Sequence, residues 1–86
     1  MKRFIYKLKR WMTARYLILL GIELYKRSIE RGDTIKAAYH AEMLYEDCYQ
    51  MSDGPKILSC IFYMLHRKDL KQIEKFYDSY VENGFA

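Results

Sequence analysis

The chain has few residues that end a helix or cross-link a fold. It contains one proline and four glycines in 86 residues, and no segment alternates apolar and polar residues as a strand does. Its two cysteines, Cys48 and Cys60, lack the spacing of a disulfide framework or a zinc site. We therefore expect two buried free thiols and a cytoplasmic protein, although a turn at residues 51–55 would let the thiols face each other across a hairpin.

Residues that usually carry chemistry are also scarce. The two histidines, His40 and His66, have no second metal ligand at helical spacing, because the Asp69 that follows His66 lies beyond a predicted turn. The sequence has no glycine-rich phosphate loop, nucleophile elbow or paired-carboxylate motif. We expect no catalytic residue, no metal, no cofactor and no enzymatic activity.

Long apolar runs are missing as well. The longest candidate, residues 16–22, has seven residues and is closed by Glu23, whereas a membrane-spanning helix needs about 20. The basic residues before it resemble the start of a signal peptide, but no small-residue cleavage site follows. We expect neither secretion nor membrane insertion, and Met1 as the start of the working protein.

The residues that are present indicate one all-α domain over 1–86. Apolar residues make up 51% and aromatic residues 16% of the chain, and a chain this short needs an apolar face on every helix to build a core. Charge is uneven along it: residues 1–31 carry nine basic and two acidic side chains, and residues 32–86 carry six basic and nine acidic ones. The basic end can meet the acidic helices, another copy or an anionic partner.

The periodicity predicts four or five helices. Residues 1–15 form a basic amphipathic helix, and residues 3–31 are one helix or two with a break near Thr13. Residues 16–50 form a helical hairpin turning at Gly32-Asp33, where glycine ends one helix and aspartate caps the next. Residues 55–84 form a second antiparallel hairpin, which begins after the Gly54-Pro55 turn and turns at residues 67–69, with Asp69 as cap.

Apolar stripes assign the faces of these helices. The first helix has a stripe at Phe4, Ile5, Leu8, Trp11 and Met12, and its continuation has two stripes, at Ile18, Ile22, Tyr25 and Ile29 and at Leu17, Leu20 and Leu24. The second helix presents Ala37, Ala38, Ala41, Leu44, Tyr45 and Cys48, where alanines permit close packing. The last two predicted helices present Ile57, Leu58, Ile61, Phe62 and Leu65, then Leu70, Ile73, Tyr77, Tyr80 and Val81.

The two predicted hairpins align at a period of 36 residues, which places Asp33 on Asp69, Ile22 on Leu58 and Leu65 on Ile29. The Gly32-Asp33 pair followed by Ala37 and Ala41 resembles the second helix of a tetratricopeptide repeat. This resemblance covers residues 16–84 in outline and Gly32 to Ala41 in detail. It implies stacked antiparallel hairpins and a protein-binding role.

We predict a small adaptor, regulator or inhibitor that docks a helical surface onto a partner protein, because tyrosine and methionine are abundant outside the inward stripes. The alternative is a nucleic-acid-binding protein that uses the basic first helix, and a membrane surface is a third partner for that helix. We also expect a homodimer, formed by the leucine stripe. The predicted partner-binding residues are Arg3, Lys7, Arg10, Trp11, Leu17, Leu20, Leu24, Tyr39, Met43 and Tyr49.

Overall fold

A computed structural model of the chain describes residues 2–83. Over this range the chain forms three α-helices and no strand: α1 (Lys2–Glu30), α2 (Thr34–Ser52) and α3 (Lys56–Glu82). The prediction of an all-α chain is confirmed, and the number of helices is three and not four or five. Residues 84–86, of which residue 84 ends the predicted second hairpin, lie outside the described residues.

The turn between α1 and α2 has the predicted chemistry. Gly32 has φ = 72°, a left-handed conformation that glycine adopts without a steric penalty. Its N–H donates to the carbonyl of Ile29 at 3.0 Å, and the next N–H donates to Ser28 at 2.9 Å, which satisfies the end of α1. The Asp33 side chain then accepts from the N–H of Lys36 at 3.1 Å and caps α2.

The predicted turn at residues 67–69 is wrong, because α3 continues through it without a break. This segment has no glycine or proline, whereas the two observed turns contain Gly32 and the Gly54-Pro55 pair. Asp69 does not cap a helix here. Its carboxylate lies 3.4 Å from the Lys26 ammonium of α1, so its contact is with another helix.

Residues 2–30 form one helix, so the break considered near Thr13 does not occur. The Thr13 hydroxyl donates to the carbonyl of Lys9 at 3.0 Å, within the same helix. This bond satisfies the threonine hydroxyl without interrupting the backbone hydrogen bonds of the helix. The basic segment 1–15 and the apolar segment that follows are therefore, over residues 2–30, parts of a single rod.

Small residues hold α1 and α2 together. Ala37 and Ala41 are fully buried on α2, and Gly21 of α1 is so close to Leu44 that an added Cβ would lie 2.8 Å from the leucine's Cδ2. Helix axes approach closely where such residues face each other. The core then extends along the hairpin and takes in two residues of α3. Its buried members are Trp11, Ala14, Ile18, Ile22, Ala41, Leu44, Met51, Phe62 and Ile73.

Aromatic contacts and hydrogen bonds attach α3 to this hairpin. The Tyr25 and Phe76 rings meet edge to face at 5.5 Å between centroids, and the Tyr45 and Tyr77 rings lie 5.3 Å apart. The Tyr63 hydroxyl donates to the carbonyl of Cys48 at 2.9 Å. Ring pairs of this geometry contribute beyond their buried area, so these side chains compensate for the lack of close backbone packing at α3.

Candidate protein-binding surfaces

Five of the predicted partner-binding residues line one open groove between α1 and α2. We call it the leucine groove, with a cavity volume of about 200 Å³. It is lined by Leu17, Leu20, Gly21, Leu24, Tyr39, His40, Met43, Leu44 and Asp47. The leucine stripe predicted from the sequence is therefore one wall of a groove, and the residues from the second helix form the other wall.

The groove is shallow because α1 and α2 are close together. Gly21 and Leu44 form its floor, and the missing Cβ of Gly21 permits their contact. Leu17 and Leu20 keep 41% of their surface exposed, so the stripe is partly covered by α2 and not left without a partner. Its walls are apolar and fixed on two long helices, which is the arrangement that receives the apolar face of another helix.

The groove is edged by two titratable residues. The imidazole of His40 lies against the Tyr39 ring, with centroids 5.4 Å apart. Burial raises the pKa of the Asp47 carboxyl, and the nearby Glu46 carboxylate raises it further. An apolar centre with a polar edge is typical of a protein interface. The volume of the groove is below the ~300 Å³ at which small-molecule sites begin.

Trp11 was predicted to lie on a partner-binding surface, but the structure places it in the core. Only 9% of its surface is exposed, and its indole N–H donates to the Ser59 hydroxyl at 3.0 Å. The same hydroxyl donates to the carbonyl of Met51 at 3.1 Å. Trp11 thus connects α1 to the start of α3 and the end of α2. Its hydrogen bond to Ser59 satisfies the indole N–H, which would otherwise be buried without an acceptor.

Tyr49 is exposed, as the prediction requires, but it does not belong to the leucine groove. Its side chain is 74% exposed on α2 and does not line the groove that contains Tyr39 and Met43. The structure thus separates it from the other tyrosine predicted to bind a partner. This position serves as a control for the groove.

The three basic residues predicted to bind a partner are brought together at the start of α1. Arg3, Lys7 and Arg10 line a second cavity of about 380 Å³, which we call the basic groove. The full lining is Lys2, Arg3, Tyr6, Lys7, Arg10, Gln50, Asp53 and Gly54. Four cations therefore converge on one side of α1, with Asp53 as the single acidic residue in the lining, and such a convergence attracts anionic groups.

The apolar stripe predicted at Ile57, Leu58, Ile61, Phe62 and Leu65 is exposed at four of its five positions. Phe62 is buried, with 3% exposed, but Ile57 and Leu65 are 76% and 75% exposed. Three further residues at helical spacing extend this surface along the first half of α3, and we call the set the α3 stripe. It consists of Ile57, Leu58, Ile61, Met64 and Leu65.

The α3 stripe was missed as a site because its periodicity is the same as that of a buried face. Helical spacing shows that five apolar residues share one side of a helix, and it says nothing about whether another helix covers them. Within residues 2–83 the packing of α3 uses Ser59, Phe62 and Ile73 as its buried residues, which turns the stripe outward. A patch of several hundred Å² of this kind marks an interaction site more often than a free surface.

The two thiols differ in environment. Both are free; Cys48 is half-buried, and Cys60 is exposed on α3, so the prediction of two buried thiols is wrong for Cys60. Burial, together with the nearby Asp47 carboxylate, raises the pKa of the Cys48 thiol to about 11, and the Tyr63 hydroxyl lowers it in part. Cys48 is therefore an unreactive thiol near neutral pH. Over the described residues, no three metal-ligating side chains lie together.

Comparison with known proteins places the chain in no group: no family model, curated protein or solved structure matches it. The resemblance to tetratricopeptide repeats therefore stays a prediction. Of the helices in residues 2–83, none is long and apolar enough to cross a membrane.

Proposed function

We propose that this chain is a small cytoplasmic adaptor, regulator or inhibitor, and that it binds an amphipathic helix of a partner protein in the leucine groove. One observation carries the proposal: Leu17, Leu20 and Leu24 of α1 and Tyr39 and Met43 of α2 line the same open groove. The groove, with a volume of about 200 Å³, is too small for most organic ligands. It lies along the seam between α1 and α2, and apolar side chains at i, i+3 and i+4 of a third helix bind in such seams.

The test is a binding comparison between three full-length proteins. Immobilised wild type, a Leu20→Glu, Met43→Glu groove variant and a Tyr49→Glu control are each incubated with cell lysate, with and without nuclease. We expect the wild type and the control to retain the same proteins after nuclease treatment, and the groove variant to lose them, because carboxylates in an apolar seam are desolvated without partners. The control matters because Tyr49 is 74% exposed and lies off the groove.

Two outcomes contradict the proposal. If the groove variant retains the same proteins as the wild type, the leucine groove is not the docking surface. If all captured material is removed by nuclease, the chain binds nucleic acid and not protein. Circular dichroism of the groove variant ensures that a loss of binding is not a loss of helix.

The basic groove supports a second candidate function, the binding of nucleic acid through phosphate contacts. Arg3, Lys7 and Arg10 line one cavity, and Tyr6 in the same lining offers a ring for base stacking. A triple substitution of these three residues by alanine is compared with an alanine triple at Lys68, Lys71 and Lys75 of α3, using a fluorescent single-stranded oligonucleotide. Binding that falls steeply with salt, with a log–log slope of about −2, and that only the α1 triple weakens supports this function. Equal weakening by both triples contradicts it.

A further inference from the structure

The most exposed apolar surface of the described chain is the α3 stripe, and it lies apart from both grooves. Ile57, Met64 and Leu65 are 76%, 78% and 75% exposed, whereas Leu17 and Leu20 of the leucine groove are 41% exposed. The sequence predicts self-association at the leucine stripe of α1. The exposures favour α3, because more apolar surface is left to remove from water there.

We propose that the α3 stripe pairs with the same stripe of a second copy of this chain, antiparallel, about a two-fold axis near Ile61. In this register Ile57 lies opposite Leu65, Leu58 lies opposite Met64, and the two Ile61 side chains meet at the axis. Every large apolar residue of the stripe then faces an apolar residue. A two-fold interface requires this self-complementarity, since each position contacts its mate twice.

Charge favours the antiparallel direction. Between Lys56 and Lys68 α3 contains no acidic residue, so a parallel pair would align each lysine and Arg67 with its own copy. The antiparallel register places Lys68 opposite Gly54, beside the exposed Asp53, which ends α2. An acidic residue therefore lies near a lysine of the other copy at each end of the stripe, which the parallel direction does not provide.

The size of the stripe sets the expected affinity. A stable dimer buries about 800 Å² per partner, and five large apolar side chains that are 38–78% exposed provide only several hundred Å² of that. The dimer is therefore at the small end of specific interfaces, and we expect dissociation in the micromolar range, ~1–100 µM. This pairing does not depend on the leucine groove, which stays open in both copies.

Cys60 reports on the pairing without any added label. It is exposed and lies at the edge of the stripe, one residue from Ile61, so the two-fold axis brings the Cys60 residues of both copies to the same side of a helix pair whose axes are ~8–10 Å apart. A short bis-maleimide should therefore join two wild-type chains. Cys48→Ser should retain this cross-link and Cys60→Ser should abolish it.

Sedimentation equilibrium of the full chain at ~5–200 µM, with the cross-linking run in parallel, tests the pairing. We expect the wild type and Leu20→Glu to dimerise alike, and Leu65→Glu and Met64→Glu each to weaken dimerisation at least tenfold. Both stripe residues are three-quarters exposed, so circular dichroism should show unchanged helicity. A wild type that stays monomeric, a dimer lost in Leu20→Glu and kept in Leu65→Glu, or a cross-link that survives Cys60→Ser overturns the proposal.

Discussion

The α1–α2 hairpin and the first half of α3 have similar apolar content but differ in how they pack. In 19 residues α2 buries Ala37, Ala38, Ala41, Leu44 and Met51, whereas the 27 residues of α3 bury only Ser59, Phe62 and Ile73. The difference lies in residue size, because the hairpin closes on alanines and a glycine while α3 is held by rings and hydrogen bonds. Small residues allow α1 and α2 to pack closely. The larger residues of α3 pack less closely against the hairpin and leave one of its apolar faces exposed.

The largest expected effect is at the centre of the hairpin. Ile18 is fully buried between the helices, so Ile18→Ala should lower the free energy of unfolding by about 2–5 kcal/mol through lost burial and the cavity it leaves. Ile35→Ala is the matched control: this residue is 72% exposed, and its loss should cost less than about 0.5 kcal/mol. Urea unfolding followed by circular dichroism measures both, and similar losses would show that the hairpin is not the stable unit.

The next effect compares two glycines. At Gly54 an added Cβ would lie 2.7 Å from Cδ1 and 2.9 Å from Cβ of Trp11, and the indole is held by Ser59, so Gly54→Ala should cost about 1–3 kcal/mol. Gly21→Ala meets the end of the Leu44 side chain, which can move, and gains about 1 kcal/mol of helix propensity. Gly21→Ala should therefore be the milder change, and the reverse order in a thermal melt would contradict the packing described for Trp11.

A smaller effect is expected where α3 meets α2. Tyr63→Phe removes the hydroxyl that donates to the Cys48 carbonyl at 2.9 Å, at a cost of about 1 kcal/mol. Because burial raises the pKa of Cys48 to about 11, alkylation of Cys48 should be slow at neutral pH and should accelerate as the pH approaches that value. Tyr63→Phe also removes the hydroxyl that lowers this pKa, so alkylation of Cys48 should be slower than in the wild type at the same pH. Tyr16→Phe, at an exposed position, should leave the rate unchanged. Mass spectrometry after alkylation distinguishes Cys48 from Cys60, and equal Cys48 rates in the wild type and Tyr63→Phe would contradict the contact between Tyr63 and Cys48.

The smallest effect is expected at the ion pair between α1 and α3. Lys26 and Asp69 lie 3.4 Å apart, with 51% and 32% of their side chains exposed, and solvent screens pairs of this kind. Lys26→Ala should lower the free energy of unfolding by no more than about 0.5 kcal/mol. If Lys26→Ala instead lowers the free energy of unfolding as much as Tyr63→Phe does, and if this loss disappears at high salt, charge contributes as much as hydrogen bonding to the attachment of α3.

The sequence predicted those parts of the fold that depend on local chemistry. Gly32 and Asp33 end one helix and begin the next through their own backbone and side chain, so their positions were sufficient. Ala37, Ala41 and Leu44 were placed inward correctly, since small and apolar residues at helical spacing are typical of a close interface. Residues 67–69 failed as a turn because a capping aspartate without glycine or proline does not end a helix.

The remaining features depend on contacts between distant residues. Trp11 was predicted to bind a partner, but its indole finds a hydrogen-bond acceptor at Ser59, 48 residues away, and no local pattern announces such a partner. The α3 stripe was missed for the opposite reason: Ile57 and Leu65 have the spacing of a core face, but no helix within residues 2–83 covers them. The sequence predicted the residues of the leucine groove. It did not predict that they form two facing walls, because this depends on how α1 and α2 are aligned.

Hydrogen exchange of backbone amides tests most directly the claim that the hairpin is the stable unit and α3 the exposed one. It is measured by mass spectrometry at ~0.1 µM, below the dissociation constant expected for the dimer. We predict that amides of residues 14–22 and 37–48 exchange only with global unfolding, and that amides of residues 57–66 exchange at least tenfold faster. Protection of residues 57–66 equal to or greater than that of the hairpin would contradict the account.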